Sequence, residues 1–463
     1  MNKFINNTKI LLVLFLVLSA CSTDDLEPTL AQDKSVEGSI TKVANLESIL
    51  RGAHDILTGS GYYGRDLIAN NEVRSDNCFS NGNSGRFSTQ AEFKYNENTD
   101  YIWNNAYQLI ANCNIIINID LTTIDGDQEL GKHVQGQALI LRALAHYDLL
   151  RVFGQQHASG TLGVPIVTTF KGEDLFPSRN TITEVKDFIY NDLEKAYSMM
   201  NSKFDASSSR IIVSKDVAKA LESRVAIYFG DWSRAKDAAK KVIDTNNYTV
   251  AEKSVYVSNW AIASASNSIF ELAYAGDDNL SSNSLPYIYR YPSDAPAGYG
   301  DVQVTANVIN IFENGDVRKD ILGYQNGGLV LRNMKKYPDT ATGTDNIPLF
   351  RYEEVILNYA EALYEINNAD TNAVTQLNLI TSKRGATAVT TATKDIILLE
   401  RRKELMFEGF RYDDLMRTGK SIDVLDATGT KTKTLSYPNV LFAYPIDIRE
   451  INANSNIVQN KGY

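Results

Sequence analysis

Several residue types that mark particular classes of protein are scarce in this sequence. Among 463 residues there are only three cysteines and four histidines. The histidines, His54, His133, His146 and His157, show no metal-ligand spacing. No phosphate-binding glycine loop and no Ser/His/Asp arrangement stands out. We therefore expect neither a metal nor a cofactor.

Positive charge is also in short supply. Lys and Arg total 46 against 56 Asp and Glu, a net charge of −10 that becomes −12 once Lys3 and Lys9 are removed. This balance argues against nucleic acid as a partner and against adhesion to an anionic lipid surface. The remaining composition, 43% hydrophobic and 22% charged, is that of a globular protein, and the length predicts two interlocked lobes.

The N-terminus has the features of an export signal. Two lysines without acidic residues precede the apolar run Ile10–Leu18, which is too short to span a bilayer. The segment Leu18–Cys21 fits a bacterial lipobox, so residues 1–20 are predicted to be a lipoprotein signal peptide and Cys21 the acylated first residue. The alternative is a chance cysteine after an ordinary signal peptide. Residues 21–38 begin with an acidic stretch and are interpreted as a flexible tether.

Once Cys21 is lipidated, Cys78 and Cys113 remain. An exported location permits a disulfide between them. Cys113 lies in a helical stretch and Cys78 in a polar loop, so two unpaired thiols are the other possibility.

The segment Gln137–Gly154 dominates what the sequence does contain. It is apolar on nearly every side, yet it carries Arg142, His146, Asp148 and Arg151. A helix of this kind is normally buried among other helices, and an interior arginine requires a carboxylate or carbonyl partner. We therefore predict a mostly α-helical protein with other helices packed around this one.

Periodicity predicts further helices and a helical-repeat scaffold. Helices are expected at Ser39–Leu57, Asp100–Ile119, Gly131–Phe153, Thr183–Met200 and Asp395–Arg417, with a strand at Ser268–Tyr274. Two helical hairpins resemble tetratricopeptide repeats: Ser214–Phe229 with Ser233–Ile243, and Glu353–Glu365 with Asn372–Arg384. We divide the chain into an N-terminal helical region, residues 39–255, and a C-terminal region, residues 256–463, that contains an irregular loop-rich insertion and a few short strands.

Two acidic patterns offer other functions. Glu404 and Glu408 share a helix face at a spacing near that of a glycosidase pair. Arg401 and Arg411 on the same face would keep both carboxylates ionised, whereas a general acid needs a raised pKa, so an ion-pair ladder is favoured. The segment Asp125–Glu129 alternates acids but lacks the full calcium-loop pattern.

Several stretches together resemble the SusD/RagB family of Bacteroidetes outer-membrane lipoproteins. They follow one another in the family's order and cover nearly the whole chain. They are the lipobox Leu18–Cys21, the helix Arg142–Gly154, the helix Tyr352–Glu365, the segment Glu400–Leu415 and the ending Tyr444–Tyr463.

The resemblance implies a tetratricopeptide-like fold, no catalytic activity and a lipid-anchored place on the outer membrane, facing outward. It also implies a SusC-like TonB-dependent transporter as partner and a nutrient, generally a glycan, as ligand. A helical-repeat scaffold that binds a peptide or protein is the alternative.

Glycan binding requires flat apolar faces for sugar rings and planar polar groups for hydroxyls. Two loops supply both kinds of group, although their aromatic side chains could instead anchor the loops to the scaffold. The candidate ligand-binding residues are Asn77, Phe79, Arg86, Phe87, Tyr287, Tyr289, Arg290, Tyr291 and Tyr299.

Overall fold

The computed structural model describes residues 39–169, 176–205, 209–290, 298–325 and 328–463. The predicted signal peptide, the tether with Cys21, and Tyr291 lie outside the described residues. Within the described part of the chain, no helix is long and apolar enough to cross a membrane.

Helices form most of the regular structure, as the sequence predicts. The N-terminal helices are α1 (Val43–Thr58), α2 (Asp66–Val73), α3 (Ser88–Ala91), α4 (Trp103–Asn118), α5 (Gln128–Phe153), α6 (Ile182–Met199), α7 (Lys215–Phe229) and α8 (Trp232–Ile243). The C-terminal helices are α9 (Leu285–Tyr289), α10 (Tyr352–Ile366), α11 (Thr371–Arg384), α12 (Lys394–Glu404), α13 (Arg411–Arg417) and α14 (Ile448–Ala453). Short 3₁₀ turns connect several of them.

The central helix is α5, and its interior charges are paired as predicted. Arg142 donates two hydrogen bonds of 2.8 Å to the carboxylate of Asp192 on α6. Asp148 accepts a bond from Arg151 of the same helix at 2.8 Å. The Asp148 carboxylate also accepts a hydrogen bond of 2.6 Å from the Tyr62 hydroxyl. Burying these charges is tolerated because each has a partner of opposite charge within hydrogen-bond distance.

Both predicted helical hairpins are present. The turn between α7 and α8 is made by Gly230 at φ 75°, a left-handed conformation that glycine adopts without steric strain. Ala235 and Ala239 of α8 are fully buried, and such small residues let neighbouring helices approach closely. In the second hairpin, Asp370 caps α11 by accepting the Asn372 backbone N–H at 2.8 Å. The fold class is therefore a tetratricopeptide-like helical scaffold.

The described part of the scaffold also carries four two-stranded antiparallel sheets. The pairs are β1 (Cys78–Ser80) with β3 (Val302–Val304), β2 (Ser268–Leu272) with β6 (Ile347–Arg351), β4 (Leu322–Gln325) with β5 (Val330–Asn333), and β7 (Ile422–Leu425) with β8 (Lys431–Leu435). The first two pairs join segments far apart in sequence. The β1–β3 pair ties the N-terminal region to the C-terminal region, and the β2–β6 pair joins two segments of the C-terminal region.

The prediction of one continuous helix over Asp395–Arg417 is wrong, because the middle of this segment is not helical. The first part ends at Glu404, and a second helix starts only at Arg411. Between them Phe407 and Gly409 have φ values of 69° and 80°, which an α-helix does not allow. The apolar and charged pattern continues through the break because these residues are buried there without being helical.

Cys78 and Cys113 are both buried and unpaired. Of the two possibilities that the sequence left open, two free thiols is the one observed. Burial raises the pKa of both thiols, so they behave as small apolar side chains.

Candidate functional site

The two loops proposed for ligand binding meet at one place because their flanking strands pair. Cys78 of β1 lies opposite Val304 of β3, and Ser80 lies opposite Val302. The loop that follows β1 (residues 81–87) and the segment that precedes β3 (residues 298–301) therefore leave the same end of the strand pair. About 220 residues of sequence separate them.

Hydrogen bonds hold these two segments together. Asn81 donates its backbone N–H to the Asp301 carbonyl at 3.0 Å and its side-chain amide to the Gly300 carbonyl at 2.7 Å. Asn83 donates its side-chain amide to the Tyr299 carbonyl at 2.7 Å. These bonds place the backbone of Tyr299 independently of its side chain.

Helix α9 is the third element of the site. The Tyr299 backbone N–H donates to the Tyr287 carbonyl at 2.7 Å. Gly298 is required at this contact, because a Cβ atom there would lie 2.3 Å from the Tyr287 carbonyl oxygen. The close approach of the two backbones places the two tyrosine rings in edge-to-face contact.

Arg86, Tyr287 and Tyr299 form a surface cluster that we call the tyrosine platform. The two ring centroids are 5.1 Å apart at an interplanar angle of 71°. The Arg86 guanidinium carbon lies 4.4 Å from the centre of the Tyr299 ring, within the range of a cation–π contact. Tyr299 is 37% exposed and the Arg86 side chain 31% exposed. Parts of both rings and of the cation are therefore accessible together, with the guanidinium covering one face of Tyr299 and Tyr287 only partly exposed.

Further polar groups surround the platform. Asn83 is exposed, and Asn283 accepts hydrogen bonds from Arg65 at 2.6 Å and from Arg86 at 3.4 Å. Asp301 lies beneath, with a carboxylate oxygen 3.8 Å from Arg86 Nη1. These three residues were not predicted individually. Asn residues are abundant in residues 70–98, which was a signal for Asn83 alone and did not identify its position.

The structure requires a correction for Asn77 and Phe79, because both side chains are buried. Asn77 accepts a bond from Arg402 at 2.9 Å through its side-chain oxygen. Phe79 packs beneath the β7–β8 hairpin, where a Cβ atom on Gly429 would come within 2.8 Å of its ring. Neither side chain offers a surface to a glycan in this conformation.

The same correction applies to Phe87, Tyr289 and Arg290. The Tyr289 side chain is 0% exposed and packs against Phe407 with ring centroids 5.3 Å apart. Arg290 is buried and donates to backbone carbonyls of the segment 334–337. Phe87 is buried as well. These residues anchor their loops, which was the alternative considered for them.

Glu404 and Glu408 belong to a buried charge cluster, though with partners other than those predicted. Glu404 accepts bonds of 2.9 and 2.8 Å from Arg384. Glu408 accepts bonds of 2.8 Å from Arg351 and 2.7 Å from Lys336. Burial alone would raise the pKa of each carboxyl, but the neighbouring cations outweigh it and lower both pKa values. A pair held ionised in this way has no general acid to offer.

The acidic segment after α4 serves a structural purpose. Asp127 accepts the Glu129 backbone N–H at 2.8 Å and caps the start of α5. Among the residues the structure describes, no group of three or more His, Cys, Asp or Glu side chains could hold a metal ion.

The fold and the platform together define a class: a helical-repeat protein whose most evident surface site carries aromatic rings, amides and one planar cation. Two family models match the chain. Residues 318–463 match a model described as the SusD family, and residues 25–227 match a model described as starch-binding and associating with the outer membrane. The chain belongs to the SusD/RagB family.

Individual relatives agree with this assignment. SusD-like protein P2 of Formosa agariphila is 24% identical over 98% of both chains. The starch-binding protein SusD of Bacteroides thetaiotaomicron is 29% identical over a segment covering 36% of this chain and 29% of that protein. The crystal structure of a SusD superfamily protein from B. thetaiotaomicron superposes with a TM-score of 0.82 at 26% identity, covering 91% of this chain and all of the other.

Proposed function

We propose that this protein captures a glycan at the cell surface and delivers it to a SusC-like TonB-dependent transporter. The observation that carries the proposal is the tyrosine platform, where two distant loops converge to expose two tyrosine rings beside an arginine and asparagine amides. Tyrosine faces pack against the C–H side of sugar rings, and planar polar groups hydrogen-bond to pairs of hydroxyls. The family membership and the starch-binding relative support the same ligand class.

Capture in this proposal involves no bond-making. Binding and release require only stacking and hydrogen bonds, and the one carboxylate pair that resembled a glycosidase site is a buried ion-pair cluster. On the part of the chain that the structure describes, no surface feature as well defined as the platform supports the alternative function, a scaffold for a peptide or protein. Failure of glycan binding together with saturable binding of a peptide would favour that alternative.

Tyr287→Ala and Tyr299→Ala should each weaken glycan binding about tenfold, since loss of an aromatic contact of roughly 1.4 kcal/mol corresponds to that factor. The measurement is calorimetry of the chain starting at Ser22, with a ligand first selected on a glycan array. Tyr324→Ala is the matched control, because Tyr324 is 55% exposed on the β4–β5 hairpin and contributes nothing to the platform. Equal affinity of all three variants and the parent would contradict the platform as the glycan site.

The membrane attachment is proposed to be a lipid on Cys21, with the protein facing outward on the outer membrane. Stable anchoring needs more than one acyl chain, as a lipidated N-terminal cysteine provides. Cys21→Ser should move the protein from the membrane pellet to the soluble fraction of lysed cells. Cys78→Ser is the control, since this buried thiol has no route to a lipid. A Cys21→Ser protein that stays in the pellet would show another means of attachment.

A further inference from the structure

Two arginines converge on one neutral acceptor beside the tyrosine platform. Arg65 donates to the side-chain oxygen of Asn283 at 2.6 Å, and Arg86 donates to the same oxygen at 3.4 Å. Both bonds end on the oxygen, so they fix the orientation of the half-buried Asn283 amide and leave its N–H groups as donors.

The Arg86 guanidinium is largely without protein acceptors among the described residues. Its one hydrogen bond is the long contact to Asn283. Nη1 is shielded from solvent and lies 3.8 Å from a carboxylate oxygen of Asp301, which is too far for a hydrogen bond. This end of the guanidinium therefore points into the protein. Nε has no acceptor either, but it is not shielded, and the side chain as a whole is 31% exposed.

The nearby acids do not remove the positive charge from the outer side of the platform. Asp66 bonds to Arg65 Nε at 2.6 Å and compensates that arginine alone. The Asp301 side chain is 1% exposed and accepts the Ser84 backbone N–H at 2.9 Å, so it lies beneath Arg86 rather than beside it. The charged group that faces outward is therefore a cation, with an amide donor next to it.

We propose that the glycan captured at the platform is acidic, and that its carboxylate or sulfate group binds Arg86 and the Asn283 amide. A neighbouring sugar ring then packs against the exposed parts of Tyr287 and Tyr299. Both anionic groups offer oxygens that only accept hydrogen bonds, and a guanidinium matches a pair of them with parallel N–H groups. The inference rests on the proposed function and adds the charge of the ligand.

The net charge of the protein does not exclude such a ligand. It is −10 and repels an anion approaching from a distance. At physiological ionic strength, salt screens charges separated by more than about 8 Å. A carboxylate or sulfate in contact with Arg86 lies well within that distance, so the local cation and its donors determine the binding.

The test is calorimetry of the chain starting at Ser22 with oligosaccharides in matched acidic and neutral forms. Oligosaccharides of polygalacturonate, alginate and hyaluronan supply carboxylates, and those of carrageenan supply sulfates. Reduction of the carboxyl groups, or removal of the sulfates, gives the neutral forms. At least one acidic oligosaccharide should bind, and its neutral form should bind at least about tenfold more weakly, since a charge-assisted hydrogen bond is lost.

Asn283→Asp is the most specific variant. Aspartate keeps an acceptor for both arginines, so the protein loses no hydrogen bond, but a negative charge replaces the donating N–H groups. The ratio of affinities for the acidic and neutral forms should fall about tenfold. Arg86→Gln should lower this ratio as well. Lys240→Gln is the control, because it removes the same charge from an exposed position on α8.

Three outcomes would overturn the inference. A neutral form that binds as tightly as its acidic counterpart would do so while leaving glycan capture intact. A preference for the acidic form that both Asn283→Asp and Arg86→Gln retain would place the anion elsewhere on the protein. If no oligosaccharide of either form binds, the proposed function fails together with the inference.

Discussion

Replacing Arg351 by Met is expected to destabilise the protein by about 3–5 kcal/mol, the cost of breaking a buried ion pair from one side. Arg351 is 2% exposed and donates to Glu353, Glu404 and Glu408 with distances from 2.8 to 3.2 Å. Met retains the apolar stem but none of the donors, which leaves Glu408 with Lys336 as its remaining cation. Urea unfolding followed by circular dichroism measures the loss.

Lys240→Ala is the control for this prediction. Lys240 near the end of α8 pairs with Asp244, the residue that follows the helix, and both side chains are more than half exposed. A pair of this kind contributes at most about 0.5 kcal/mol. Glu408→Gln is a milder variant of the cluster, which keeps the size and some hydrogen bonds. A loss in Arg351→Met no larger than in Lys240→Ala would show that the cluster is not required for stability.

The helices were predictable from sequence because their signals are local. The periodicity of α5 and the Gly230 turn lie within one segment of chain each, and both are where the pattern predicted them. The requirement that Arg142 find a carboxylate followed from its burial. The identity of that carboxylate, Asp192, did not, since many acidic residues were equally available in the sequence.

The charge cluster shows where local reasoning fails. Arg401 and Arg411 lie near Glu404 and Glu408 in sequence, and a continuous helix would have aligned them. The helical conformation is interrupted around Phe407 instead. Arg411 therefore points away from the glutamates and pairs with Asp76, with an Nε–Oδ1 distance of 2.7 Å. Arg351 of β6 and Arg384 of α11 pair with the two glutamates in their place. No helical spacing connects these arginines to the glutamates in sequence.

The candidate site was predictable as two loops but not as individual residues. Aromatic residues in a polar loop either face solvent or anchor the loop, and composition does not distinguish the two roles. In α9, Tyr287 is half-buried while Tyr289 is fully buried, because only one side of this short helix faces out. The β1–β3 pairing that joins the loops depends on contacts across more than 200 residues.

His146 should stay neutral in the folded protein, and its protonation in the unfolded chain should make the stability strongly dependent on pH. His146 is completely buried in α5, and burial lowers its pKa to about 3. Burial likewise lowers the pKa of His54 and His157 to about 4. In the unfolded chain, each of these histidine side chains takes up a proton below a pKa of roughly 6.5. In the folded chain, they stay neutral until the pH is much lower. Stability therefore falls as the pH decreases from 6.5 toward these lower values, by about 2 kcal/mol for each histidine between pH 7 and 5.

Buried carboxyls act in the opposite direction. Burial raises the pKa of Glu72 to about 7 and those of Asp205 and Asp345 to about 6. The folded state binds their protons more readily than the unfolded state, so these groups add stability as the pH falls. The pH profile of the parent protein alone contains both effects. A comparison with a variant that changes only one histidine separates them.

His146→Phe is that variant. Its loss of stability between pH 7 and 5 should be about 2 kcal/mol smaller than that of the parent, whatever its stability at pH 7. The ring packs edge-on against Phe188 at a centroid distance of 5.0 Å, a contact that Phe can keep. His146→Gln separates packing from protonation, because it should show the same reduced pH dependence at a different overall stability. If the urea midpoints of parent and both variants fall in parallel from pH 7 to 5, protonation of this histidine does not destabilise the fold, and its ring must already accept a proton in the folded protein.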